Sequence, residues 1–152
     1  MLTSFSHSYL SEIPMGFDMK KKALICDIDM CFLKTIETDD LDLFYSKIHE
    51  YDVNEWCLDM LHALSHKYTI IFITARGEKY RLATKLDLDM LCDFKYKLFM
   101  RNYGDLRPDY LCKRDVLLSL LDMYDVTLAL DDNLANCKMF QSYGIPTLHV
   151  LT

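Results

Sequence analysis

The stretch Ala23-Leu-Ile-Cys-Asp27-Ile-Asp29 decides how the rest of the chain is read. Four apolar residues in a row, preceded by Lys20-Lys21-Lys22 and followed by two carboxylates, suit a strand covered on both faces, where no alternate position needs to meet water. The pattern recurs, predicting strands at Lys22–Cys26, Tyr68–Ile73, Lys97–Met100, Val126–Leu130 and Thr147–Val150. Helical stretches lie between them. Asp52 and Glu55 are spaced as a helix-start pair, with Trp56, Met60, Leu61 and Leu64 on one face of a helix running to about His66. Further helices are predicted over Lys79–Met90, Cys112–Tyr124 and Leu134–Tyr143, the last ended by Gly144 and Pro146. Strands that alternate with helices imply α/β architecture, a mainly parallel sheet between two helical layers. Asp27, Thr74 and Asp131 each come directly after a strand, and in an open parallel sheet those ends converge on one crevice.

The chain has 152 residues, 51% of them hydrophobic, which is enough for one core and one domain, expected over residues 19–152. Residues 1–18, rich in Ser and broken by Pro14 and Gly16, read as an N-terminal arm. Seventeen Lys and Arg against 23 Asp and Glu give a net charge of -6, which argues against a basic surface tracking many phosphates. A small phosphorylated substrate, or only the end of a strand, fits better. The six cysteines show no CxxC pair and the chain opens with no secretory leader, so reduced thiols and a cytoplasmic location are expected. No apolar run reaches the roughly 20 residues of a membrane span. The five histidines fall outside the motifs.

Four constellations carry chemistry. Asp27 and Asp29 stand two residues apart at a strand end, so one can attack while the other handles a proton; a carboxylate attacks a phosphate dianion only when a cation offsets the charge. Thr74-Ala-Arg76 supplies a hydroxyl and a guanidinium suited to phosphoryl oxygens. In Gly104-Asp105-Leu-Arg107-Pro-Asp109-Tyr-Leu-Cys-Lys113, Asp109 and Lys113 share a helical face, with Lys113 expected as a helix-surface lysine turned toward the crevice. Asp131-Asp132 ends a strand in adjacent acids, an arrangement that calls for a cation.

In this order, and at these positions, the four sets resemble the haloacid dehalogenase (HAD) superfamily of phosphohydrolases. From Ile71 to Ile145 the match is closest to the 3′-phosphatase domain of phage polynucleotide kinases, through Thr74-Ala-Arg76, Glu78-Lys-Tyr80-Arg81, Leu98-Phe-Met-Arg101, Gly104–Asp109, Lys113 and Asp131-Asp132. No G-x-x-x-x-G-K-[ST] loop occurs, so a kinase half is not expected here. The resemblance implies a Rossmann-like three-layer sandwich with a minimal cap, because Cys31 to Lys67 is too short for a large one. It further implies Mg²⁺ held by Asp27, Asp131, the backbone carbonyl of Asp29 and Asp132, a nucleophilic Asp27 and an acid–base Asp29. Thr74 and Lys113 would then contact the phosphoryl group, with Asp109 placing Lys113, and Arg76 and Arg107 would contact the substrate or its surroundings.

The implied activity is a phosphomonoesterase acting on the 3′-phosphates of nucleic-acid ends or nucleotides, in the host cytoplasm if phage-encoded. The alternatives are a 5′(3′)-mononucleotidase and, from a different class, a catalytically silent HAD-like binding or structural protein. The superfamily's usual D-x-D-G-T reads here with Met30 and Cys31 in place of Gly and Thr. Met30 is accommodated if the turn is wholly right-handed, since only a positive φ penalises it. The Arg that follows this motif in the phage phosphatase is missing, with Lys34 as a partial substitute.

Overall fold

The computed structural model describes residues 20–34, 40–46 and 52–151; the expected arm at 1–18 lies outside them. In chain order the elements are β1 (Lys21–Cys26), α1 (Leu41–Tyr45), α2 (Glu55–Ser65), β2 (Thr69–Gly77), a 3₁₀ turn (Glu78–Tyr80), α3 (Arg81–Leu91), β3 (Tyr96–Arg101), α4 (Asp109–Leu120), β4 (Tyr124–Asp131), α5 (Leu134–Ser142) and β5 (Thr147–His149). The strands form one parallel sheet in the order β3-β2-β1-β4-β5. All five predicted strands are present. The sheet grows outward from β1 through β2 to β3 and then returns to the other side of β1 at β4, so the strand order reverses between β1 and β4. Ligand crevices form at such a reversal.

Side chains alternate across the pleat, which divides the core into two layers. Leu24, Cys26, Ile70, Phe72 and Leu130 point toward α2 and α3, packing on Cys57, Leu61 and Leu88. Ala23, Ile25, Ile71, Ile73 and Ala129 point the other way, onto Leu117, Leu120, Met139 and Phe140 of α4 and α5. Burying each large side chain in these layers stabilises the fold by about 1.5–3 kcal/mol, and both faces of β1 are used from Ala23 onward. This explains why Ala23–Cys26 carries no polar residue.

Three local expectations are corrected. Helix α2 starts at Glu55 with Asn54, not Asp52, at its cap. Val53 pairs with Leu33 and keeps that segment extended, Asn54 donates from Nδ2 to the Cys31 carbonyl at 3.0 Å, and Asp52 pairs with Lys34 at 3.2 Å. Its buried face is Cys57 and Leu61, while Trp56 remains about half exposed at 49%. Helix α4 begins three residues early because Pro108, at φ -50, presets the first turn. It ends at Leu120, leaving room for β4 to start at Tyr124. The turn after Asp29 is not wholly right-handed: Met30 has φ 60, the left-handed region that a Gly would occupy without penalty.

Candidate active site

The backbone N–H of Asp27 donates to the Leu130 carbonyl at 2.9 Å, carrying the β1–β4 ladder one step beyond β1. Asp27 and Asp131 are thereby fixed side by side at the two strand ends that flank the reversal. Between them lies Lys113. Its Nζ donates to Asp27 Oδ1 and Asp131 Oδ2, both at 2.7 Å, and lies 3.5 Å from Asp109 Oδ2. The lysine is only 2% exposed, so the expected surface position is corrected: α4 packs against the sheet and drives the ammonium into the carboxylate cluster. Asp131 also accepts on Oδ1 from the Asn133 N–H and from Asn136 Nδ2, each at 2.9 Å. Asn136 Nδ2 reaches Asp109 as well, at 2.7 Å.

Burial pushes the Asp27 carboxyl well above its ordinary range; Lys113 opposes this, while the charges of Asp131 and Asp29 add to it. For Lys113, burial acts to lower the pKa, but Asp27, Asp131 and Asp109 together override it and hold the ammonium above its ordinary value. Burial followed by Asp131 raises Asp132 in the same way. One lysine is thus set among more carboxylates than it can neutralise. Oxygens of Asp27, Asp131 and Asp132 lie within 4.8 Å of one another. Hard oxygen donors at that spacing suit an octahedral cation with ligand distances of about 2.1 Å. The residues present therefore fit Mg²⁺.

Asp29 is held by Arg76. Arg76 Nη2 donates to Asp29 Oδ1 at 2.7 Å and Nε to Oδ2 at 3.0 Å, a planar two-point contact. The guanidinium is 1% exposed, bonds Thr84 Oγ1 at 3.3 Å and lies 3.9 Å from Asp87. Thr74 is buried at the end of the regular β2 register, its Oγ1 accepting from the Arg76 N–H at 3.2 Å, which leaves the hydroxyl proton to be directed elsewhere. Arg107 stands apart on the surface, paired with Asp105 at 2.7 Å and Asp115 at 2.9 Å. Lys34 is engaged by Asp52 rather than by the cluster. Beside Lys113 and Thr74 opens a cavity of about 230 Å³ whose walls include Arg101, Asn102, Arg107 and Asp115.

Asn136 and Tyr45 carry no sequence signal, and Arg101 enters the sequence reading only within the Leu98-Phe-Met-Arg101 resemblance, with no role attached. Arg101 joins the Ala75 carbonyl at 3.2 Å, the Arg107 carbonyl at 2.7 Å and Asp109 at 3.2 Å, so it ties β2 to the start of α4. Asn136 follows Asp131 by five residues, a spacing with no obvious meaning until α5 folds back. Tyr45 on α1 places its ring centroid 4.6 Å from the Arg76 guanidinium carbon. Burial, with the charge of Asp29 next, holds the Tyr45 phenol above its ordinary range.

A family model described as the polynucleotide kinase PNKP phosphatase domain matches residues 21–152. A curated relative from Autographa californica nuclear polyhedrosis virus, a putative bifunctional polynucleotide kinase/RNA ligase, is 28% identical over 143 residues, covering 90% of this chain and 20% of that protein. Among solved structures, a chain of the Pnkp1/Rnl/Hen1 complex superposes with a TM-score of 0.78 at 23% identity, covering 97% of this chain and 52% of that one. The class C acid phosphatase from Bacillus anthracis, solved with tungstate bound, gives 0.57 at 20% identity, over 79% and 55% of the two chains. At these identities the solved structures share the fold. The chain spans a fifth of the curated relative and about half of the first matched structure.

Proposed function

The chain belongs to the family of polynucleotide kinase phosphatase domains, which are phosphomonoester hydrolases of haloacid dehalogenase fold, and from that premise we propose that it removes the 3′-phosphate from nucleic-acid ends or nucleotides through an aspartyl-phosphate on Asp27. The observation that carries the reading is the gathering of Asp27, Lys113 and the Asp131–Asp132 pair at the strand-order reversal, with Asp29 two residues beyond Asp27.

In the proposed cycle an oxygen of Asp27 attacks phosphorus while the bond to the 3′-oxygen breaks and Asp29 delivers a proton to that oxygen. Water then attacks phosphorus with Asp29 accepting its proton, the bond to Asp27 breaks, and phosphate leaves. One water is consumed. Mg²⁺, held by Asp27, Asp131, Asp132 and the Asp29 carbonyl, would lower the repulsion between the acids and the substrate dianion. Lys113 faces the same developing charge and is kept in place by Asp109 and Asp131. Thr74 has a hydroxyl proton to offer a phosphoryl oxygen. Arg76 acts through Asp29, fixing the plane of its carboxylate, and Arg107 borders the cavity where the rest of the substrate would enter.

Phosphate release from 3′-phosphorylated oligonucleotides and from 3′- and 5′-mononucleotides, with and without Mg²⁺, tests the reading. Preference for the oligonucleotide end supports it. Turnover of mononucleotides alone supports the 5′(3′)-mononucleotidase reading, which the net charge of -6 favours. Release from none of them leaves the silent-protein reading.

A further inference from the structure

Helix α1 contributes no buried residue of its own to the core. Asp40 caps it by accepting from the Leu43 N–H at 2.9 Å, and Asp42 ties it to Lys79 at 3.2 Å and to the Tyr80 hydroxyl. Tyr45 packs its ring 5.5 Å from that of Tyr80 on one side and faces Arg76 on another. A five-residue helix with no buried residue of its own is marginal alone. Contacts to Lys79 and Tyr80, a few residues past Arg76, hold α1 beside the site and bring the Tyr45 ring onto the guanidinium paired with Asp29.

We infer that Tyr45 is a positioning residue for Asp29: its ring lies over the Arg76 guanidinium that grips the Asp29 carboxylate, and its hydroxyl serves as a third donor to that carboxylate, holding the proton-transfer oxygen toward the leaving group. The role rests on the phosphatase reading above. Arg76 is anchored from behind by Thr84 and by Asp87 at 3.9 Å, so the guanidinium is held from within the fold. The carboxylate it grips is held less completely. Two nitrogens fix its plane, but the plane can still tilt about the fork, and Asp29 lies at the site's partly open edge, 15% exposed. In this inference Tyr45 supplies the third constraint, through its ring 4.6 Å from the Arg76 guanidinium carbon and through its hydroxyl. A misplacement of about 1 Å at such a group can cost on the order of 100-fold in rate.

The test uses the full chain as wild type, Tyr45→Phe, Tyr45→Ala and Asp27→Asn, with two substrates of different leaving-group demand. A 3′-phosphorylated nucleotide expels an alkoxide and needs the proton from Asp29. p-Nitrophenyl phosphate expels a stabilised phenolate and does not. kcat/KM covers the steps up to departure of the leaving group, which is where the two substrates differ. Tyr45→Ala should lower kcat/KM on the 3′-phosphate by about 30-fold or more while changing the aryl ester by less than about threefold. Tyr45→Phe, which keeps the ring over Arg76, should fall between wild type and Tyr45→Ala. Equal losses on both substrates, or no loss on either, overturn the role for Tyr45. A wild-type chain as inactive as Asp27→Asn on both substrates refutes the phosphatase reading itself, and the role for Tyr45 with it. Circular dichroism should show all variants folded, since α1 adds no buried residue to the core. If Tyr45→Ala is unfolded, Tyr45→Phe decides alone: a selective loss on the 3′-phosphate upholds the role, and no loss overturns it.

Discussion

Replacing Lys113 with Ala should destabilise the metal-free protein as strongly as it impairs turnover. The ammonium lies 2.7 Å from Asp27 and from Asp131 and 3.5 Å from Asp109, and is 2% exposed. Each of the shorter contacts is worth about 6 kcal/mol of gross attraction at an effective dielectric of ~20. Desolvation of the charges offsets most of that sum. What remains after deletion is a set of buried carboxylates without a counter-charge, and breaking a buried pair from one side costs about 3–5 kcal/mol. For a chain of 152 residues, a loss of that size lowers Tm by about 10–15 °C. Thermal melts followed by circular dichroism in chelator measure it directly. Mg²⁺ should then raise the Tm of the variant by more than it raises that of wild type, because the cation takes over the charge that the lysine supplied. If Lys113→Ala melts within about 3 °C of wild type in chelator, or if Mg²⁺ stabilises both proteins equally, the charge balance described for this cluster is wrong.

Asp27→Asn leaves Lys113 paired with Asp131 and Asp109, so stability should hold while phosphate release falls by about three orders of magnitude or more. Beryllium or aluminium fluoride with Mg²⁺ should raise the Tm of wild type but not of this variant. Chelation should abolish turnover and readdition of Mg²⁺ or Mn²⁺ restore it; full activity in excess chelator would contradict the role given to Asp27, Asp131 and Asp132. Met30→Gly removes a side chain at φ 60, and the conformational relief should raise stability by about 1 kcal/mol with activity retained, as read from urea titration. Arg76→Lys keeps the charge but not the fork, so kcat/KM on a 3′-phosphate should drop about 10–100-fold; an unchanged value would separate Arg76 from the chemistry of Asp29.

The sequence by itself determined the strand positions, the parallel α/β class and the order in which Asp27, Thr74, Lys113 and Asp131 arrive at strand ends or beside them. These are local properties. An apolar run of strand length and paired acids at the end of β4 are legible because propensity and burial act over a few neighbouring residues. Even so, sequence spacing caps α2 at Asp52, two residues before Asn54, because the pairing of Val53 with Leu33 depends on where the chain returns. The φ of Met30 could not be read either, since one dihedral in a turn is set by the strands it joins. Only the tertiary structure decided that Lys113 is buried rather than on the surface, that Arg76 grips Asp29, and that Arg101, Asn136 and Tyr45 surround the site. The physical reason is that electrostatic and aromatic contacts depend on distance in space, and Tyr45 is 31 positions from Arg76 along the chain but 4.6 Å from it in the fold.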